Sequence, residues 1–252
     1  MIRVLHVLDH SIPLHSGYTF RTAALLREQR SLGWRTFHVT SPKQGQTAAP
    51  VEDIDGLSFF RTQPAKGLLV DLPISREVAL MQQLESRLEE VAREIRPDII
   101  HAHSPVLNAI PAIKVARRLA IPVVYEIRAF WEDAAVDHGS TAEGSLRYRI
   151  TRALETRAIR QVDHAFTICE GLRGDILARG IAAEKITVIP NAVDVESFQL
   201  ASPPDPQLLE QWGLTGKTVV GFVGSFYAYE GLDLLLDAVP ELLRQRPDVR
   251  VL

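Results

Sequence analysis

Short apolar runs alternate with longer amphipathic stretches along most of the chain. Buried β-strands are predicted at 3–8, 35–41, 99–102, 122–127, 165–169 and 186–189. Between them apolar residues recur every three or four positions, most clearly over 78–95, and this spacing predicts helices. Strands separated by helices of this length predict right-handed crossovers and a parallel sheet covered on both faces. The expected fold class is therefore α/β.

Two further segments have their own patterns. Residues 51–62, interrupted by Asp55-Gly56, are predicted to form a hairpin or a bent strand. Residues 128–143 are predicted to be an irregular loop in which Glu132 and Asp133 are solvated charges. A helix is expected over 144–161.

The same strand and helix pattern begins again after a proline-rich stretch. Residues 201–206 read Ala-Ser-Pro-Pro-Asp-Pro, a composition typical of linkers. A strand is predicted at 218–223, followed by a helix that begins at Gly231 and that Pro240 is expected to kink. We therefore predict two Rossmann-like domains, at 1–198 and 217–252, joined by a linker at 199–216. Two strands and one helix cannot close a core, so the second domain is expected to be truncated.

Charge and cysteine content exclude several classes of protein. The 252 residues carry a formal net charge of -3, whereas a nucleic-acid-binding protein is usually basic. Cys169 is the only cysteine, so no intrachain disulfide can form; we expect it to be a small buried residue and not a nucleophile. No segment approaches the roughly 20 apolar residues of a membrane span. We predict a soluble, cytoplasmic protein with at most a peripheral membrane contact.

The strand at 99–102 brings two histidines to its carboxyl end. Alternation places His101 and His103 on one face, where ligands bind in open α/β sheets. His103 can hydrogen-bond substrate hydroxyls or a phosphate, or it can be a satisfied structural histidine. A metal site would need further ligands, for which His10 or His15 are candidates, and we expect none.

Two neighbouring positions offer groups for anions. Glu126 and Arg128 alternate onto one face at the next strand end, where Arg128 can grip a phosphate or simply pair with Glu126 to order the loop. Ser16 and Gly17 open the first helix, whose free N–H groups suit an anion, although an ordinary helix start has the same sequence.

The helix at 144–161 is unusually basic. Its arginines are Arg147, Arg149, Arg152, Arg157 and Arg160, with Glu143 and Glu155 as the nearby carboxylates. A packing side is predicted from Leu146, Ile150, Ala153, Leu154 and Ile159. The basic face is either solvated or rests on anionic lipid.

Several of these segments, in this order, resemble the GT-B glycosyltransferases, specifically the retaining group 1 or family 4 class. The resemblance is carried by the first strand with its glycine-opened helix, Arg-Pro-Asp-Ile-Ile-His-Ala-His-Ser-Pro at 96–105, Val-Ile-Pro-Asn-Ala-Val-Asp at 188–194, and Val-Gly-Phe-Val-Gly-Ser at 220–225 with Gly231. The segments at 125–139 and 226–231 also resemble an exosortase-associated exopolysaccharide subgroup.

The resemblance implies two Rossmann-like domains facing each other across a cleft, the first for the acceptor and the second for a nucleotide sugar, with no metal cofactor. His103, Arg128 and Glu126 are then the catalytic candidates. Substrate-binding candidates are Ser16, Gly17, Asn191, Gly224, Ser225 and Glu230. The family usually has a glycine pair at 16–17, a histidine near 128, and an arginine and a lysine where this chain has Ser225 and Glu230.

The function implied is retaining transfer of a sugar from a nucleotide-diphosphate sugar to a glycan or lipid-linked acceptor, in exopolysaccharide or cell-surface glycan synthesis. The 252 residues alone are expected to be inactive. A sugar-nucleotide epimerase of the same architecture and a non-catalytic acceptor-binding fragment are the alternatives. A nicotinamide-dependent oxidoreductase is rejected, because the first strand leads into Asp-His-Ser-Ile-Pro at 9–13, not G-x-G-x-x-G.

Overall fold

The computed structural model describes residues 1–45, 47–64, 73–196, 203–224, 226–227 and 230–252. They form two compact units. The first comprises Met1–Asp133 and Glu143–Asn191, and the second comprises Ala134–Ala142 and Ala192–Leu252. The predicted domain boundary at 198–199 lies outside the described residues, and the predicted domain limits stay a prediction.

An eight-stranded sheet forms the centre of the first unit, in the order β3-β4-β2-β1-β5-β6-β7-β8. The strands are β1 (Arg3–Leu8), β2 (Arg35–Thr40), β3 (Val51–Ile54), β4 (Leu57–Arg61), β5 (Ile99–His103), β6 (Val123–Ile127), β7 (His164–Thr167) and β8 (Ile186–Val188). Neighbours are parallel except β3 and β4, which form a hairpin at Asp55-Gly56, where both residues have positive φ. The α/β class and the parallel sheet are confirmed.

The helices of this part of the chain follow the strands closely. They are α1 (Gly17–Ser31), α2 (Pro73–Ile95), α3 (Val106–Leu119), α4 (Trp131–Asp137), α5 (Leu146–Gln161) and α6 (Glu170–Ala178). The prediction of an irregular loop at 128–143 is wrong for Trp131–Asp137, where two carboxylates in the first turn favour a helix start. Among the residues that the structure describes, no helix is both long and apolar enough to cross a lipid bilayer.

The two faces of the sheet carry different side chains. One face, together with α2, α3 and α5, forms the main apolar core, to which Leu5, Val7, Ile100, Ala102 and Tyr125 belong. The opposite face, beneath α1, carries buried polar side chains, namely His6, His38, His101, His103 and Glu126. Strand alternation separates the two sets. The polar face therefore lies between the sheet and α1.

Helix α5 packs on the sheet through a different side from the predicted one. Leu146, Ile150 and Leu154 are 73%, 51% and 40% exposed, so the prediction that they pack is wrong. Ile159 is buried as predicted, and Glu155 is buried beside it. The reason is a polar contact, because the hydroxyl of Tyr125 donates to the Glu155 carboxylate at 2.7 Å.

Cys169 is exposed, which corrects the prediction of a buried residue. Strand β7 ends two residues earlier, at Thr167, and Cys169 is the residue that precedes the first turn of α6. Cys169 therefore lies beyond the end of the buried strand.

The second unit contains one strand–helix–strand segment of the kind that builds the first unit. It contains α7 (Pro206–Gln211), β9 (Thr218–Val220), α8 (Leu232–Gln245) and β10 (Val249–Val251). β9 and β10 pair in parallel, and β9 is shorter than the predicted strand at 218–223. α8 continues through Pro240. α7 is a short helix within the predicted linker.

Candidate functional site

The carboxyl ends of β1, β5 and β6 lie side by side in the first unit. The parallel register sets His6 opposite His101 and His103 opposite Glu126. Because all four side chains alternate onto the face beneath α1, they meet in one buried layer. The sequence predicts that His101, His103 and Glu126 lie at strand ends, and the structure brings them together.

Glu126 is the centre of this layer and is 2% exposed. Its Oε1 accepts hydrogen bonds from Arg21 Nε at 2.9 Å and Arg128 Nε at 3.0 Å. Its Oε2 lies 3.2 Å from His103 Nδ1 and 3.3 Å from His101 Nε2. Burial opposes the ionised form of Glu126, but the hydrogen bond from His101 and the charge of Arg128 outweigh it and hold the pKa of Glu126 well below the usual range. Glu126 is therefore a carboxylate.

His103 is fully buried and links two other groups. Arg128 Nη2 donates to His103 Nδ1 at 2.8 Å, and His103 Nε2 lies 2.9 Å from His6 Nδ1. Burial first, and then the charge of His101, lower the pKa of His103 to about 3, so the ring is neutral at neutral pH. Arg128 can only donate to Nδ1, whereas the Glu126 carboxylate, 3.2 Å from the same nitrogen, can only accept. The Arg128 contact is the shorter of the two, so we assign the His103 proton to Nε2.

The same reasoning extends to His6. Its Nδ1 accepts the proton of His103, and its Nε2 donates to Gln29 Oε1 at 2.8 Å on α1. Burial first, and then the nearby histidines, hold the pKa of His6 well below its usual value. Arg128, His103, His6 and Gln29 therefore form one directional hydrogen-bond chain under α1.

Arg128 is held by the protein on almost every side. Its Nη1 donates to the Tyr18 carbonyl at 2.9 Å and to Thr22 Oγ1 at 3.1 Å, and its Cζ lies 4.3 Å above the Tyr18 ring. With the bonds to Glu126 and His103, four of its five N–H groups are used. The ion pair with Glu126 that the sequence left open is present, and gripping a phosphate would require breaking these contacts.

Arg21, like His6, is a residue of this layer that sequence reasoning missed. Besides Glu126, it donates to the carbonyls of Ile189 at 3.0 Å and Pro190 at 3.1 Å, and to Asn191 Oδ1 at 2.9 Å. It thus connects α1, β6 and the segment after β8, and it brings the predicted residue Asn191 next to the Glu126 layer. Its position one turn after Gly17 is the signal that could have identified it.

The start of α1 lies at the same end of the sheet. Ser16 Oγ accepts from the Thr19 amide at 3.1 Å and lies 2.9 Å from His10 Nε2. Gly17 is exposed, and no atom lies within 4 Å of where its Cβ would stand. Ser16 is thus an N-cap, and the surface at Gly17 is open.

The other predicted substrate-binding residues belong to the second unit. Gly224 and Glu230 are exposed there, and Ser225 lies outside the described residues. The substrate-binding and catalytic roles assigned to these residues and to those of the first unit stay predictions.

Three imidazoles lie close enough to be considered as metal ligands. Within the described part of the chain, the ligand atoms of His6, His101 and His103 lie within 4.8 Å of one another, so His6, and not His10 or His15, is the third histidine. Two of their nitrogens, however, hydrogen-bond each other, and Arg128 donates to the same cluster. A guanidinium in contact disfavours a second cation. The absence of a metal stays a prediction.

A second buried polar cluster lies on the apolar side of the sheet. Glu132 is 1% exposed, which corrects the prediction of a solvated charge, and Arg179 Nη2 lies 2.9 Å from its Oε1. The Arg179 guanidinium also stacks 3.7 Å from the Phe130 ring centre. Burial first, and then the charge of Glu132, raise the pKa of Glu155 to about 7.

Glu155 gives the fold a pH dependence. The ordinary pKa of a glutamate is 4.5, and that of Glu155 in the folded protein is about 7. At a pH between these two values, Glu155 keeps its proton in the folded protein and loses it in the unfolded chain. The stability associated with that proton is present at low pH and is lost as pH rises through this window. We expect Glu155→Gln, which keeps the acceptor for Tyr125, to gain stability relative to the wild type by on the order of 3 kcal/mol as pH rises from about 4.5 to about 8.

Urea denaturation at several pH values measures this difference. Glu184→Gln, at an exposed position, is the matched control and should follow the wild type at every pH. A constant difference between Glu155→Gln and the wild type across the window would show that Glu155 does not titrate there.

The solved structure of Anabaena HepE in complex with UDP and glucose superposes with a TM-score of 0.66 at 17% identity, covering 100% of this chain and 60% of that one. At this identity the likeness shows the fold alone.

Two curated relatives are similar in sequence. A GDP-mannose-dependent alpha-mannosyltransferase from Mycolicibacterium smegmatis is 25% identical over 229 residues, covering 88% of this chain and 56% of that protein. WcaI from Escherichia coli K12, named provisionally as a colanic acid biosynthesis glycosyl transferase, is 25% identical over 160 residues, covering 62% of this chain and 39% of that protein. The chain spans about half the length, or less, of these relatives.

The model of one protein family matches most of the first unit. It is described as the glycosyl transferase 4-like domain, and it covers residues 16–192, from the N-cap of α1 to just beyond Asn191. The match contains α1, Glu126, Arg128 and both histidines of β5. The chain belongs to the glycosyl transferase 4-like family.

Proposed function

We propose that the protein transfers a sugar from a nucleotide-diphosphate sugar to a glycan or lipid-linked acceptor, with retention of anomeric configuration. The observation that carries the proposal is the family match over residues 16–192. The names of the relatives are consistent with it, because one uses GDP-mannose and the fold neighbour was solved with UDP and glucose. WcaI, named for colanic acid biosynthesis, supports a role in exopolysaccharide synthesis.

In this proposal the first unit binds the acceptor. The open N-terminus of α1 at Gly17 offers free N–H groups and a positive dipole end, which suit an anionic group or sugar hydroxyls. Arg21 holds Asn191 near the same end of the sheet. Gly224, Ser225 and Glu230 are proposed to contact the donor from the second unit.

Glu126, His103 and Arg128 act in this proposal as positioning residues. Glu126 is sealed from solvent and shared by two guanidinium groups, so it is not available as a general base. Instead, the three residues fix α1 against β5 and β6. We propose that an oxygen of the departing diphosphate takes the proton of the acceptor hydroxyl as the new glycosidic bond forms, so that neither a protein base nor a metal is required. Positioning and stabilisation of the leaving group then supply most of the rate.

A lipid-linked acceptor would place the reaction at a membrane surface. We propose that the protein is cytoplasmic and peripheral to the membrane, in contact through the arginine-rich helix α5.

The test is a panel of nucleotide sugars given to the product of the complete reading frame. We expect calorimetry to show binding of at least one donor, and nucleoside diphosphate release to rise when an acceptor is added. Conversion of the donor sugar without an acceptor would identify an epimerase instead. If no nucleotide sugar binds or turns over, the proposed function is wrong.

The acceptor side has its own prediction at Gly17. Glu fits sterically there and suits the first turn of a helix, but its charge would repel an anionic acceptor group. We expect Gly17→Glu to lower transfer at least about fivefold without loss of stability, because one full charge repulsion is worth about 1 kcal/mol or more. Gly174→Glu, at an open and exposed glycine of α6, is the matched control and should transfer like the wild type. Equal rates for the two variants would exclude Gly17 from the acceptor site.

A further inference from the structure

Helix α5 exposes an apolar ridge. Leu146, Ile150 and Leu154 follow one another at four-residue steps, so they lie along one side of the helix, and they are 73%, 51% and 40% exposed. A solvated helix face does not require large apolar side chains at three successive turns. Among the described residues of the first unit, the ridge is therefore left largely exposed.

The exposed charged side chains of α5 itself have one sign. The helix carries exposed arginines at 147, 149, 152, 157 and 160. Glu155 is its only carboxylate, and it is turned inward to Tyr125 and fully buried. The outward side of α5 is therefore basic and apolar at once. The nearest carboxylates along the chain outside the helix are Glu143 before it and Asp163 after it.

Beside the ridge, α5 and α3 enclose a cleft of about 280 Å³. Its walls are apolar, formed by Ile110, Ile113, Leu154 and Ala158, and its edges carry Arg117 and Arg157. Lys114, also at the edge, pairs with Glu85 of α2 at 2.9 Å. An apolar cleft edged by guanidinium groups matches a lipid, whose acyl chain is apolar and whose head group is anionic.

We propose that this face, made of the Leu146–Ile150–Leu154 ridge, the α5 arginines and the α3–α5 cleft, docks on a bilayer surface containing anionic phospholipid. The ridge enters the interface between head groups and acyl chains, and the arginines contact lipid phosphates. Charge complementarity selects this partner, because the face combines several exposed cations with an apolar strip. The inference deepens the membrane contact proposed above, and its test does not depend on sugar transfer.

Cosedimentation with vesicles tests the proposal. The vesicles contain phosphatidylcholine alone, or phosphatidylcholine and phosphatidylglycerol in equal parts. We expect at least about tenfold stronger binding to the anionic vesicles, weakened by high salt, since each arginine near the surface contributes about 1 kcal/mol. Equal binding to both compositions, or none to either, would overturn the proposal.

Paired variants identify the face. Arg149→Glu with Arg157→Glu should lower binding to anionic vesicles at least about tenfold, and Leu146→Ser with Ile150→Ser at least about fivefold. Arg27→Glu with Arg35→Glu makes the same charge change on α1 and at the start of β2, and should bind like the wild type. Thermal unfolding checks that each variant is folded. The proposal is wrong if the α5 variants bind normally, or if sedimentation shows that they change only self-association.

Discussion

Glu126→Gln is expected to lower the free energy of unfolding by about 3–5 kcal/mol, the range found when one partner of a buried ion pair is removed. The amide has the size of the carboxylate but no charge. Arg21 and Arg128, with side chains 14% and 10% exposed, would lose the anion between them, and neither can give up its proton. Urea denaturation at neutral pH measures the loss.

Glu28→Gln on α1 is the matched control for this variant. It makes the same chemical change at an exposed position, where we expect a difference within about 0.5 kcal/mol of the wild type. If Glu126→Gln were no less stable than Glu28→Gln, the carboxylate would not be holding the two guanidinium groups.

Arg128→Lys is expected to cost about 2–3 kcal/mol although the charge is kept, because each lost hydrogen bond of a buried charged group costs about 1.5–3 kcal/mol and a lysine recovers only some of them. Four bonds converge on the planar guanidinium, from Glu126, Tyr18, Thr22 and His103. A lysine ammonium also cannot stack on Tyr18 in the same way. The measurement is again urea denaturation.

Arg35→Lys, at an exposed arginine, provides the comparison. We expect it to unfold like the wild type. Similar stabilities for Arg128→Lys and Arg35→Lys would mean that only the charge at position 128 matters, and that the geometry of its hydrogen bonds does not.

Much of the fold follows from local pattern. Apolar runs of strand length between amphipathic helices determine a parallel sheet, and the turn at Asp55-Gly56 produces the antiparallel pair of β3 and β4. Helix α4 cannot be recognised from the sequence pattern, because its seven residues are too few to show a helical period. Its two acidic residues at the first turn were the available signal.

The orientation of α5 shows where periodicity stops being informative. Counting apolar positions places Leu146, Ile150 and Leu154 on the packing side, yet a Tyr125–Glu155 hydrogen bond across the core sets the rotation of the helix. A buried carboxylate cannot be distinguished from a solvated one by its spacing alone. Because of this rotation of α5, Leu146, Ile150 and Leu154 form the exposed ridge on which the lipid proposal rests.

In the buried polar layer around Glu126, the sequence alone predicts only the residues at strand ends. Alternation and the carboxyl-end rule locate His103, Glu126 and Arg128 without knowledge of their partners. Arg21 and His6 reach the same layer from distant parts of the chain, 105 and 97 positions away from their partners Glu126 and His103. Such contacts depend on strand order, which the local sequence pattern does not reveal.

The state of His103 reports most directly on this network. Nitrogen-15 NMR of the histidine side chains, recorded while pH is lowered from about 8 to about 5, distinguishes neutral from charged rings and one tautomer from the other. We predict that His103, with its pKa lowered to about 3, stays neutral throughout and carries its proton on Nε2. A ring that becomes charged near its ordinary value of 6.5, or a proton on Nδ1, would contradict the network of Glu126, Arg128 and His103 described here.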